Sequence, residues 1–113
     1  MRLKSAIFVS ALIRRCQVEG AFAALLRKGA EEAGAIFVKV ARLDGTAALY
    51  GPAPQTAFDD AFPADRKFSI LVAPGSPEAD ADARIAREAK FDPDIFVLEI
   101  EDRAGRHFLD LVE

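Results

Sequence analysis

The sequence predicts an α+β domain: a mainly antiparallel sheet of five to six strands with two helices packed on one face, in the order α-β-β-β-β-α-β-β. Three observations carry that expectation. Apolar residues alternate with polar ones at period two in residues 35–43, 66–73 and 95–101. Two segments, 5–19 and 76–90, have helical spacing or a helix start signal. Turn residues separate most of the strand-like runs, which favours antiparallel neighbours.

In residues 5–19, Phe8, Val9, Leu12, Ile13 and Cys16 fall on one stripe at 3.6 residues per turn. Ser5 is placed to cap the start and Gly20 to end the helix, with Arg14 and Arg15 near its negative end. A period-two reading competes: Ile7, Val9, Ala11 and Ile13 alternate with Phe8, Ser10, Leu12 and Arg14, giving a strand over 5–13 and a helix over 18–28. Phe22–Lys28 then reads as a strand. In Ala35–Leu43, Ile36, Val38 and Val40 point one way, and Phe37, Lys39 and Ala41 the other. Asp44-Gly45 signals a hairpin, because both residues tolerate positive φ, and Thr46–Tyr50 pairs back.

Pro52 and Pro54 cannot donate to a ladder and end that strand. Residues 51–65 read as an irregular stretch pinned by Phe58 and Phe62. In Arg66–Ala73, Phe68, Ile70 and Val72 are expected to face the core and Lys67, Ser69 and Leu71 to face away. Ser76-Pro77-Glu78 reads as a cap, a first-turn proline and an acid. The following helix has Ala81, Ile85, Ala86 and Ala89 on its buried side, and Asp80–Arg84 and Arg84–Glu88 pairs on its wet side. Asp92-Pro93-Asp94 breaks it. Ile95–Glu101 is a strand, 102–105 a turn, and Arg106–Asp110 a returning strand. Phe37, Leu71 and Val97 leave the second sheet face partly apolar, so a second copy of the chain is expected to cover it.

The chain has 113 residues, which suits a single domain spanning 1–113 with one core and no staples. Its net charge of -3 is unevenly spread. Residues 1–58 carry eight Lys/Arg against four Asp/Glu, giving +4, and 59–113 carry seven against fourteen, giving -7. The plainest reading is that the halves pair with each other on folding. A lone Cys16 and a lone His107 exclude a disulfide within the chain and a Cys/His zinc site, and Cys16 suits a reducing, cytoplasmic compartment. The apolar run Ala6–Ile13 is too short to span a membrane and, ending on Arg14-Arg15, makes a poor signal peptide.

No phosphate loop, dinucleotide fingerprint, nucleophile elbow or metal cluster is present, so neither cofactor nor metal is expected. His107, with Glu99 or Asp102 as helpers and Arg103 or Arg106 as an anion clamp, is the weak candidate for general acid–base chemistry. Strand alternation separates it from Asp110 and favours a half-buried structural histidine instead. Cys16 beside Arg14 and Arg15 has the charge to be reactive, but its place on the apolar stripe makes it structural. Arg14, Arg15, Lys39 and Arg42, with Arg27 and Lys28, are candidates for an anion or nucleic-acid surface. Against this stand a pI near 5.2 and the lack of interleaved aromatics. Solvated charges paired to Glu99, Glu101 and Asp102 are the ordinary alternative. Asp92 and Asp94 are too few for a cation site, and Asp94 more simply shapes its turn. Glu99 and Glu101 have Lys39 or Lys67 as cross-strand partners.

Seven runs taken together resemble one family: Leu12-Ile13-Arg14-Arg15, Gly34 through Val40, Leu43-Asp44-Gly45-Thr46, Tyr50-Gly51-Pro52, Phe91-Asp92-Pro93-Asp94, Glu99 through Arg103, and Gly105 through Phe108. They resemble the small alphaproteobacterial proteins grouped as domain-of-unknown-function family 1491. The resemblance spans nearly the whole chain. It implies a cytoplasmic bacterial protein and brings no catalytic residues with it. The residues themselves point to a non-enzymatic binding or interaction module whose partner is a second copy or another protein.

Overall fold

The computed structural model describes residues 3–54 and 66–112; Phe58 and Phe62 lie outside the described residues. The elements run α1 (Ser5–Val18), β1 (Phe22–Arg27), β2 (Ile36–Ala41), β3 (Thr46–Pro52), β4 (Phe68–Pro77), α2 (Glu78–Phe91) and β5 (Phe96–Glu101). The helical reading of residues 5–19 therefore holds over the strand reading.

The strands form one sheet in the order β1-β5-β2-β3-β4. Three neighbouring pairs are antiparallel, but β5 inserts between β1 and β2 and runs parallel to β2. The sheet is therefore mainly antiparallel, as expected, but the parallel β2–β5 pair and the resulting strand order were not. The insertion follows from α2, which carries the chain from the β4 edge across one face back to the middle. The β1–β2 connection then backs onto the chain entering β5. A Cβ on Gly29 would run into the Asp94 carbonyl, and one on Gly34 would lie 2.7 Å from it. Ala30 donates to that carbonyl at 2.9 Å, and Phe96 donates to Ala35 O at 2.8 Å.

The expected alternation is what builds the core. Ile36, Val38 and Val40 join Phe96, Leu98, Ile100, Ala48 and Tyr50 beneath Val9, Leu12 and Cys16 of α1. Phe37 joins Leu49, Ile95 and Val97 beneath Ala81, with Ile85 and Ala89 of α2 packed on them. The two helices thus cover opposite faces, not one face, and the second apolar face is covered by the chain itself. All six β2 residues are buried, so each side of the strand needs its own lid.

Local details also depart from the sequence reading. Lys4, not Ser5, is the N-cap of α1, and the Ser5 hydroxyl donates to Gly34 O at 2.7 Å. Ser76 lies within β4 opposite Ala47, and Pro77 is the N-cap of α2. Register shifts between Ala47 and Tyr50 let both Leu71 and Val72 pack on the α2 side, while Ile70 is exposed. Ala86 is exposed as well. Asp92, not Asp94, shapes the turn: its carboxylate accepts the Asp94 N–H at 3.0 Å.

The returning strand over 106–110 does not form. Both edges of β5 are already occupied by β1 and β2, and Phe108 has φ +58°, outside the strand region. The tail instead reaches the far edge of the sheet, where Phe68 and Leu111 form an isolated parallel bridge.

Lys39 ties α2 to the sheet. It is 4% exposed, and its Nζ lies 2.7 Å from both Glu78 and Asp82. Burial pushes its pKa down, but the hydrogen bonds to Asp82 and Glu78 outweigh burial and raise it. The two acids are partly exposed and can be rehydrated; the ammonium cannot. Replacing both acids (Glu78→Gln with Asp82→Asn) is therefore expected to cost about 2 kcal/mol, while Lys39→Met stays within about 1 kcal/mol of wild type. Urea unfolding of both variants checks this, and the reverse order would show that the carboxylates are the strained partners. Gly29→Ala is expected to cost about 1–3 kcal/mol through its collision with the Asp94 backbone, read as a lower thermal midpoint.

Candidate functional site

The residues singled out from sequence do not converge on one site. Arg14 and Arg15 are exposed on α1. Lys39 faces the opposite side of the sheet beneath α2, and Arg42 donates through Nε to Arg103 O at 3.2 Å. The four cations therefore do not share a surface. Glu99 pairs in register with Lys39, but the ion-pair partners of Lys39 are Glu78 and Asp82. Burial raises the pKa of Glu99, and Lys39 partly offsets this. Glu78 and Asp82 were not expected as partners, although their i,i+4 spacing puts them on one helical side. Lys67 pairs with Asp110 at 2.7 Å, not with Glu99 or Glu101. Of the five ion pairs among the described residues, only the two at Lys39 join the basic first half to the acidic second. Among the described residues no cluster of His, Cys, Asp and Glu could hold a metal ion.

The corner where α1 meets the chain after β5 gathers more of the candidates. Asp102 is 9% exposed and accepts three bonds from Arg106: backbone N at 2.8 Å, Nε at 3.0 Å and Nη2 at 2.8 Å. Those bonds hold its pKa down to about 2, so it is a fixed anion near neutral pH and not a proton acceptor. Arg106 also donates to Glu19 O at 3.3 Å, satisfying a carbonyl at the end of α1.

His107 is half-buried with its ring 4.9 Å from that of Tyr50. Its Nδ1 accepts the Leu109 N–H at 2.9 Å, which places the proton of the neutral ring on Nε2. Burial lowers its pKa. The neighbouring carboxylate is engaged by Arg106, and the imidazole orders the chain entering Leu109. Cys16 is fully buried, and burial pushes its thiol up despite Arg15 and Arg106 nearby.

Beside an open groove of about 530 Å³ along Ser10, Arg14 and Gln17 of α1, two further surface features among the described residues were not revealed by the sequence. The first is a groove of about 220 Å³ lined by Leu3, Phe8, Ala11, Leu12, Arg15 and Phe108. The Arg15 and Arg106 guanidiniums lie 5.6 and 5.3 Å from the Phe108 ring centroid. The second is the outer edge of β1, which pairs with nothing among the described residues. Phe22, Leu25 and Leu26 are 59%, 42% and 54% exposed there. The opposite edge strand, β4, contains Pro74 and Pro77 and is bridged by Leu111. No helix is long and apolar enough to cross a membrane.

The model of a family described as a protein of unknown function (DUF1491) matches residues 3–110. The chain is similar to the crystal structure of a DUF1491 family protein from Caulobacter crescentus, with 45% identity, full coverage of both chains and a TM-score of 0.81. It is also similar to the solution structure of a protein from A. tumefaciens, with 49% identity, 100% of this chain and 97% of that one covered, and a TM-score of 0.84. No curated protein matches.

The corner has a defined pH response. The pKa of Asp102 is lower in the folded state than the ordinary 3.8. Its contribution is therefore complete above pH 3.8 and is lost as pH falls toward 2. His107 is likewise depressed below 6.5, so its contribution is complete above pH 6.5 and declines as the solution is acidified through the folded pKa. Asp102→Asn is expected to cost about 1–2 kcal/mol at pH 7 after screening at the half-exposed Arg106 and to flatten the acid limb below pH 4. Chemical denaturation from pH 2 to 8 measures both. A His107 ring that titrates above 6.5 by NMR would contradict the burial account.

Proposed function

The chain belongs to the DUF1491 family, and on that footing we propose that it is a non-enzymatic interaction module of the bacterial cytoplasm that self-associates through its sheet. The contact is the β1 edge, since α2 occupies the face first expected to serve. One observation carries this reading: the bare, apolar outer edge of β1. Natural sheets guard such edges with charge, proline or bulges; β4 has two prolines and two register shifts, whereas β1 has no proline, one register shift between Leu25 and Arg27, and its only charge on Arg27 at the end of the strand.

A second copy suits this edge because antiparallel pairing of β1 with itself is isologous, each copy presenting the same strand. It opposes no like charges across Phe22–Leu26. Exposed Glu19 lies before the strand and exposed Lys28 after it. Antiparallel pairing therefore brings the acidic end of one copy toward the basic end of the other. Each edge would satisfy the other's backbone donors and acceptors and cover Phe22, Leu25 and Leu26.

Light scattering on the full chain across a wide concentration range is expected to give twice the monomer mass at high micromolar concentration. Leu25→Lys with Leu26→Lys is expected to return it to monomer with an unchanged circular dichroism spectrum, because both positions are exposed in the single chain. A wild-type chain that stays monomeric into the millimolar range would defeat the proposal.

A further inference from the structure

We propose that the groove between α1 and Phe108 binds a small organic carboxylate with an apolar body, such as a short alkyl or aryl acid. The argument starts from its lining. Leu12 forms a buried floor, Leu3, Phe8 and Ala11 supply apolar contacts, and Phe108 stands as one wall. Its volume of about 220 Å³ is below the range typical of drug-sized ligands, so the ligand is small.

The charge argument rests on Arg15. Arg106, also near the Phe108 ring, already donates to Asp102 through Nε and Nη2 and to the Glu19 carbonyl through Nη1. Arg15 contacts Phe108 through its cationic plane and has no hydrogen-bond acceptor or ion-pair partner among the described residues. A guanidinium held against an aromatic wall at the end of an apolar groove matches a carboxylate, which accepts two parallel N–H bonds. Its apolar body would lie against Phe8, Leu12 and Phe108.

The backbone of Phe108 adds an independent sign. A bulky residue at φ +58° is in a sparsely populated conformation, as Leu43 is at +66° in its hairpin turn, so the surrounding structure must hold it there. Here the held side chain is the wall of the groove. Bonds on both sides fix it: Leu109 N to His107 Nδ1, and Phe68 N to Asp110 O.

The groove shares no residue with β1, so the test is independent of self-association and is run on the full chain carrying Leu25→Lys and Leu26→Lys as well as on wild type. Amide and methyl NMR titrations compare hexanoate, 3-phenylpropionate and their uncharged alcohols. The acids are expected to shift Leu3, Phe8, Ala11, Arg15 and Phe108 saturably and to bind about tenfold more tightly than the alcohols, the worth of a charge-assisted hydrogen bond. Arg15→Gln is expected to bring acid binding down to the alcohol level. Ala11→Phe, at an exposed position, is expected to fill the groove and abolish both. Equal affinity for acid and alcohol, shifts confined to other surfaces, or no saturable shift by either acid would each overturn the proposal.

Discussion

The constraint on which this fold depends is the complete burial of β2. A strand with Ile36, Val38 and Val40 on one side and Phe37, Lys39 and Ala41 on the other cannot lie at an edge or under a single layer. It needs neighbours on both edges, which β5 and β3 supply, and a helix on each face, which α1 and α2 supply. The parallel β2–β5 pair is part of the same solution. A chain that must leave β4, cover the second face and return to the centre arrives through a helix, as parallel neighbours require.

Lys39 shows how that arrangement tolerates a charge in its interior. The ammonium sits on a face that is otherwise mainly apolar, through Phe37, Leu49, Ile95 and Val97, with half-buried Glu99 beside it, where a lone cation would be costly. α2 answers by placing Glu78 and Asp82, one turn apart, over it. A buried ion pair contributes modestly to net stability against an apolar substitute, but it is demanding about geometry. Its clearest effect is to set where along the sheet α2 docks, since sliding the helix by one turn would leave Lys39 without one of its acids.

At the opposite end, the chain after β5 is organised by polar capture. Asp102 takes up the backbone and guanidinium of Arg106, Arg106 closes the end of α1, and His107 holds Leu109. These contacts absorb the residues that looked most like catalytic groups. They also leave Phe108 at a positive φ, with Arg15 over its ring, beside a mainly apolar groove. The proposed contacts with partners are this groove and the outer edge of β1, both built mainly from aliphatic and aromatic side chains of ordinary appearance in the sequence.

By itself the sequence determined much of the local structure: the α1 stripe, the β2–β3 hairpin (although Leu43 and Gly45, not Asp44, take its positive φ angles), the facing of Ile36 through Ala41 and of Phe96 through Glu101, and the family. Each rests on interactions between residues a few positions apart, which periodicity and turn chemistry record directly. Tertiary structure decided which strands became neighbours, that the helices took opposite faces, that Arg106–Asp110 would not be a strand, and that Lys39 would meet Glu78 and Asp82. Those outcomes depend on contacts dozens of residues apart and on competition for a limited number of strand edges. The same alternating pattern fits several sheet orders, and only closing both faces of β2 at once selects among them.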